Sequence, residues 1–99
     1  MNEYSSLIQS APAILVEFYA TWCPHCRHMM PIVADIRQLL GDTMPIYQFD
    51  IDKNQEYADE AGVESVPSFV IYRNGEAVWR HSGEIDGNTL LKTIQEYMA

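Results

Sequence analysis

Two cysteines three residues apart, in Trp22-Cys23-Pro24-His25-Cys26, are the residues of this chain best suited to chemistry. At that spacing on a helix, neighbours share one face, so the pair can trade a dithiol for a disulfide with little backbone movement. They are the only cysteines in the sequence, which excludes a disulfide framework and leaves the pair for redox work. A cysteine at a helix N-terminus has its thiolate stabilised by the partial positive charge and unsatisfied N–H groups there. Cys23 holds that place, and Pro24 follows as the first helical residue, where its missing N–H costs nothing. Cys26, one turn deeper, is expected to be more buried and less acidic. The asymmetry assigns roles: Cys23 attacks a disulfide, and Cys26 resolves the mixed disulfide that forms.

Resolution requires Cys26 to lose its proton away from water. Glu17, alone among apolar neighbours in Ala13-Ile14-Leu15-Val16-Glu17-Phe18-Tyr19, is the candidate base, because burial raises a carboxyl's pKa toward neutrality. At a sheet edge the same residue would be merely solvated. His25, between the cysteines, can stabilise the Cys23 thiolate as an imidazolium or a donor, which favours the dithiol and makes the couple more oxidising. His28 reads as a solvated helix residue, and His81 carries no signal. A metal-binding module built on Cys23, Cys26 and a histidine is the competing reading. A structural zinc site wants four ligands, however, and no second cysteine pair exists; Pro24 and the helix restrict how His25 and His28 could converge. No metal site and no cofactor is therefore expected.

The elements that must position these residues follow from periodicity. A short helix over about Glu3 to Gln9 closes at Ala11-Pro12. Ala13 to Tyr19 reads as a strand covered on both faces. From Pro24 to about Leu40, the positions Met29, Ile32, Val33, Ile36, Leu39 and Leu40 recur at helical spacing up to Gly41. Pro31 lies inside and is expected to kink the helix. Ile46 to Ile51 reads as a second buried strand, Asp52-Lys53-Asn54 as a turn, and Tyr57 to Ala61 as a short helix ended by Gly62. Asn74-Gly75 between Ser68–Tyr72 and Ala77–His81 predicts an antiparallel hairpin. A last helix carries Leu90, Leu91, Ile94 and Tyr97 on one face. Asp50, Asp52, Asp59 and Glu60 are expected to be solvated turn and helix charges. Strand-helix-strand order makes the first two strands parallel, so the expected class is α/β, a mixed sheet with helices on both faces.

The 99 residues, 47% of them hydrophobic, support one domain spanning 1–99, since a chain of this size buries roughly two-thirds of the surface it exposes unfolded. Acids outnumber bases fourteen to six, for a formal charge of −8, which turns the chain away from phosphate backbones and anionic membranes. Neither nucleic acid nor membrane is an expected partner. No apolar stretch approaches the roughly 20 residues of a spanning helix, and Met1-Asn2-Glu3-Tyr4-Ser5-Ser6 lacks the positive start of a secretory signal. Two free cysteines suit a cytoplasmic, reducing compartment; a periplasmic or extracellular domain stripped of its leader would read the same way.

With Trp-Cys-x-x-Cys after a buried strand, internal Pro31, Val66-Pro67 before a strand, the Asn74-Gly75 hairpin and Gly83 before the last helix, the chain resembles the thioredoxin family over about Ile8 to Met98. The resemblance implies a thioredoxin-like fold and protein thiol–disulfide exchange by a monomer, with protein disulfides as substrates and a thioredoxin-reductase-like electron donor. It implies that Pro67, by composition an ordinary loop proline, is cis and faces the disulfide, leaving the Val66 backbone free to pair with an extended substrate segment. Trp22, Pro24, Ser82 and Gly83 would complete the docking surface, and Glu17 would match the family's buried acid. Four departures stand out. Pro24-His25 replaces the usual Gly-Pro and matches the periplasmic disulfide oxidases, so oxidase, isomerase or electron-relay function is the alternative; the helical insertion of those oxidases has no room in 99 residues. Glu17 stands where thioredoxins have Asp. Gln48 stands where many have lysine, and without a cation nearby the acid's pKa is expected to rise further. The N-terminus is short for the family's first strand, so four strands are expected instead of five.

Overall fold

In this computed structural model, which describes residues 2–98, the chain runs α1 (Glu3–Ile8), β1 (Ala13–Tyr19), α2 (Pro24–Leu40), β2 (Ile46–Asp50), α3 (Gln55–Ala61), β3 (Ser68–Arg73), β4 (Glu76–Ser82) and α4 (Gly87–Met98). The strands form one sheet in the order β2-β1-β3-β4. β1 and β2, joined through a helix, are parallel, while β3 is antiparallel to both its neighbours. Asn74 and Gly75 sit at φ 52° and 82°, the left-handed conformations that a two-residue hairpin turn demands. The mixed four-stranded sheet is the expected one, and among the described residues no strand precedes β1.

Side-chain alternation along β1 divides the core. Ile14, Val16 and Phe18 pack with Tyr4 of α1 and Ala58 and Ala61 of α3. Leu15 packs on the other face with Met29, Val33, Ile36 and Leu40 of α2 and Leu90 and Ile94 of α4. Each Val, Leu, Ile, Phe or Met among them contributes about 1.5–3 kcal/mol when fully buried. Glu17, two residues beyond Leu15, therefore lies on the α2 side. The buried stripe of α2 is Cys26, Met29, Val33, Ile36 and Leu40, a run of three- and four-residue steps in which the second cysteine is the first member. Gly41, at φ 56°, ends the helix; Pro31 lies within it without ending it.

Three expectations are corrected. β2 is an edge strand, with Gln48 exposed, and it stops at Asp50 because Ile51 to Lys53 turn away. Asp50 is buried: its Oδ1 accepts from the Asp52 N–H at 2.9 Å and closes that turn. α3 begins at Gln55, two residues ahead of the expected start.

Candidate active site

The chain leaves β1 at Tyr19 and bends back, with the Cys23 N–H donating to the Ala20 carbonyl at 3.2 Å. Cys23 has extended backbone angles and is the N-cap of α2, its Sγ accepting from the Cys26 N–H at 3.3 Å. A sulfur thus occupies the place that a serine or aspartate oxygen takes at most helix starts. Burial pushes the Cys23 thiol up, but hydrogen bonds from the Cys26 thiol and from the backbone N–H groups of Cys26 and His25, helped by the Arg27 charge, hold it below the ordinary thiol range. Burial pushes the Cys26 thiol up as well, to about 12, reinforced by its bond to Cys23 and by the charges of Cys23 and Glu17 and only partly offset by a backbone hydrogen bond at Ala20. The two sulfurs are thus shifted in opposite directions, the first toward the thiolate and the second toward the thiol.

Cys23 is only 4% exposed and Cys26 1%, so the order of burial is as expected while the first sulfur is less open than a free nucleophile. Cys23 reaches solvent through a groove of about 560 Å³. Trp22, Pro24, His25 and Val66 line it, and so do Ile51, Val63 and Ser65, which sequence reasoning missed. Their only signal is position, directly after β2 or just before Pro67. The Val66-Pro67 peptide is cis, and the Val66 carbonyl lies 3.7 Å from Cys23 Sγ. Pro67, Ser82 and Gly83 are brought together beside the groove: the Gly83 N–H donates to the Pro67 carbonyl at 2.7 Å, and the Ser82 and Ser68 hydroxyls meet at 3.3 Å. Trp22 is 62% exposed; its Nε1 donates to Asp52 at 3.0 Å, so Asp52 is an anchor for the indole rather than a free solvated charge.

Glu17 is buried, at 1% exposure. Burial pushes its carboxyl up to about 7, against a hydrogen bond from Gln48 and the Arg37 charge, which both pull it down. Gln48 Nε2 donates to Glu17 Oε1 at 2.9 Å, and Gln48 Oε1 accepts from Arg37 Nη2 at 2.7 Å. Arg37 Nη1 also donates to the Ile46 carbonyl at 2.9 Å. The expectation of an acid with no cation nearby is thereby corrected: a cation from the last turn of α2 is coupled to it across β2 through the glutamine amide. A cavity of about 80 Å³ lined by Glu17, Tyr19, Met30 and Gln48 exceeds the roughly 10–15 Å³ that one water needs.

His25 turns its ring outward, 68% exposed, with Nδ1 against Glu84 Oε2. Its backbone N–H, and not the imidazole, is what supports the Cys23 sulfur. His28, 71% exposed, places Nδ1 3.4 Å from the same oxygen. Among the described residues neither cysteine belongs to a group of three or more side chains arranged to hold a metal.

A sulfur-capped helix facing a cis X-Pro peptide over a mixed sheet defines the class of proteins that exchange dithiols for disulfides. The thioredoxin family model matches residues 1–96, and a thioredoxin from Bacillus subtilis (strain 168) is 36% identical over 89 residues, covering 90% of this chain and 86% of its own. The chain belongs to the thioredoxin family. A chloroplastic thioredoxin Y from rice is 35% identical over 89 residues, 90% of this chain but 53% of the rice protein; the chain spans about half the length of the chloroplastic relatives it matches. The solved structure of a mutant thioredoxin from Halobacterium salinarum NRC-1 superposes with a TM-score of 0.87 at 28% identity, covering 100% of this chain and 86% of that one.

Proposed function

We propose that this chain is a thioredoxin-type protein-disulfide reductase in which Cys23 is the nucleophile, Cys26 the resolving thiol and Glu17 the base. The observation that carries the reading is the opposed proton affinity of two sulfurs sharing one helix terminus. An extended substrate segment enters the groove beside Trp22, Pro24 and Val66, with Pro67, Ser82 and Gly83 completing the rim. The Cys23 thiolate attacks one substrate sulfur, forming a mixed disulfide and releasing the other as a thiolate. Glu17, half ionised near neutrality, accepts the Cys26 proton and passes it to solvent through the cavity beside it. The Cys26 thiolate then attacks Cys23 Sγ, expelling the second substrate thiolate and closing the Cys23–Cys26 disulfide, so two electrons have moved to the substrate. The sulfurs carry the electrons, and no cofactor takes part. A thioredoxin-reductase-like protein would return the dithiol.

The chain works as a monomer in a reducing compartment such as the cytoplasm. None of the helices among the described residues is long and apolar enough to cross a membrane. The Pro24-His25 pair favours a second reading, net flow toward oxidation of partner thiols, with the same residues running in reverse. Replacing Cys26 by serine leaves Cys23 able to attack but not to be released. Cys26→Ser is expected to accumulate mixed disulfides that dithiothreitol reverses; failure to trap any, with Cys23 still open to alkylation, would overturn the mechanism.

A further inference from the structure

We propose that His25, His28 and Glu84 form a binding site for a divalent first-row transition cation on the outer face of the helix that carries the cysteines. Three-residue spacing puts the two histidines on one face of α2, and both address a single carboxylate oxygen, Glu84 Oε2, that lies far away in the sequence. One donor atom from each of the three residues lies within 4.8 Å of the others. The imidazole rings stand almost perpendicular, at 85° with centroids 6.5 Å apart, so the two nitrogens approach one point without stacking. Metal–donor bonds of about 2.0–2.2 Å in a tetrahedron set donor atoms somewhat more than 3 Å apart, and side chains this exposed reach that separation by small rotamer adjustments.

The backbone that carries the carboxylate is held in place from its own side. Glu84 follows β4, and its carbonyl accepts from His81 Nε2 at 3.0 Å. The His81 ring is itself stacked on Trp79, at 5.9 Å and 8°. One residue earlier, Gly83 is tied to the Pro67 carbonyl. The site is therefore assembled from the first two turns of α2 and an anchored β4–α4 connection, two elements that the fold fixes relative to each other. Two imidazoles and one carboxylate form a donor set suited to zinc with a fourth position left to water. Magnesium and calcium, which take oxygen ligands, are poorly matched to two nitrogens. A formal charge of −8 favours a dication anywhere on this surface; the donor set selects which one.

The test titrates Zn²⁺ into the disulfide form of the full chain, where neither sulfur is free to ligate, by calorimetry with Mg²⁺ as control. One Zn²⁺ per chain is expected, without saturable binding of Mg²⁺ at the same concentrations. Loss of a hydrogen-bonded partner to a ligand typically weakens metal binding about 10–100-fold, so loss of a ligand itself in His28→Ala or in Glu84→Gln is expected to cost at least about tenfold. Unchanged circular dichroism would show that both variants fold. Absence of saturable Zn²⁺ binding to the disulfide form, equal binding of Mg²⁺, or affinity unchanged in either variant would overturn the proposal. Since the readout needs no turnover, its failure is distinct from any failure of the disulfide-exchange reading.

Discussion

At the scale of single residues, the site works by separating proton affinities over a few ångströms, and Glu17 shows what that separation costs the fold. Its carboxyl has an ordinary value of 4.5 and is raised to about 7 in the folded chain, so the native state binds that proton more tightly than the unfolded state does. The native advantage is full below pH 4.5 and is lost as pH rises toward 7, above which the folded protein carries a buried charge that the unfolded chain solvates. Glu17→Gln keeps an acceptor for Gln48 without the charge. Its stability is expected to match the parent below pH 4.5 and to exceed it by up to about 3 kcal/mol at pH 8, with slower resolution of mixed disulfides. Urea unfolding of both proteins from pH 4 to 8 checks this; parallel profiles would show that Glu17 does not titrate as the base must. The placement of Cys23 at the helix start, Cys26 one turn deeper and Glu17 in the buried strand was legible in the sequence because residue type and immediate neighbours decide it. Arg37 was not, because its link to Glu17 runs through a third residue on another strand and leaves no mark on the helical pattern. The outward turn of His25 was equally hidden, since Glu84 is 59 positions away.

At the scale of elements, the tuning of that acid is a property of β1, β2 and α2 together. Gln48 is paired with Glu17 in the strand register and transmits the Arg37 charge from the helix above. Gln48→Leu breaks the relay and removes a donor to the carboxylate, so the Glu17 pKa is expected to climb above its present value by about one unit; Gln48→Lys, which brings a cation directly, is expected to lower it by a similar amount. Carboxyl NMR titration of Glu17 reads both, and a shift of the same sign in the two variants would exclude the relay. The hairpin supplies a separate test. Gly75 sits at φ 82°, and a Cβ there would meet Gln9 Cγ at 2.6 Å. Gly75→Ala is expected to lower stability by about 1–2 kcal/mol in denaturant unfolding from the left-handed backbone alone, without altering the thiol chemistry. Boundaries of β1, α2 and the hairpin were readable because an apolar run, a three-four stripe and an Asn-Gly pair are local signals. β2 looked interior because Tyr47 and Phe49 flank Gln48, but those rings half-bury against the α1–α3 side, which an edge strand can also do.

At the scale of the whole molecule, helix placement on both sheet faces followed from element order and strand periodicity, whereas β2 at the edge and the groove walls came from tertiary packing that no local run of residues records. The redox couple belongs to this scale, because a potential compares two complete states of the protein. Every interaction that favours the Cys23 thiolate favours the dithiol state and raises the potential: the Cys26 and His25 N–H groups, the Cys26 thiol and the Arg27 charge all act in that sense. The His25 imidazole adds less than its position between the cysteines suggests, because its ring turns outward onto Glu84. The couple is therefore expected to lie above the thioredoxin value of about −270 mV and below the disulfide-oxidase value of about −120 mV, poles separated by roughly 7 kcal/mol for two electrons. Equilibration with glutathione buffers in the presence of a chelator measures it. A potential at or below the thioredoxin pole would show that the Pro24-His25 pair does not bias the couple, and one at the oxidase pole would reverse the proposed direction of electron flow while leaving the roles of Cys23 and Cys26 unchanged.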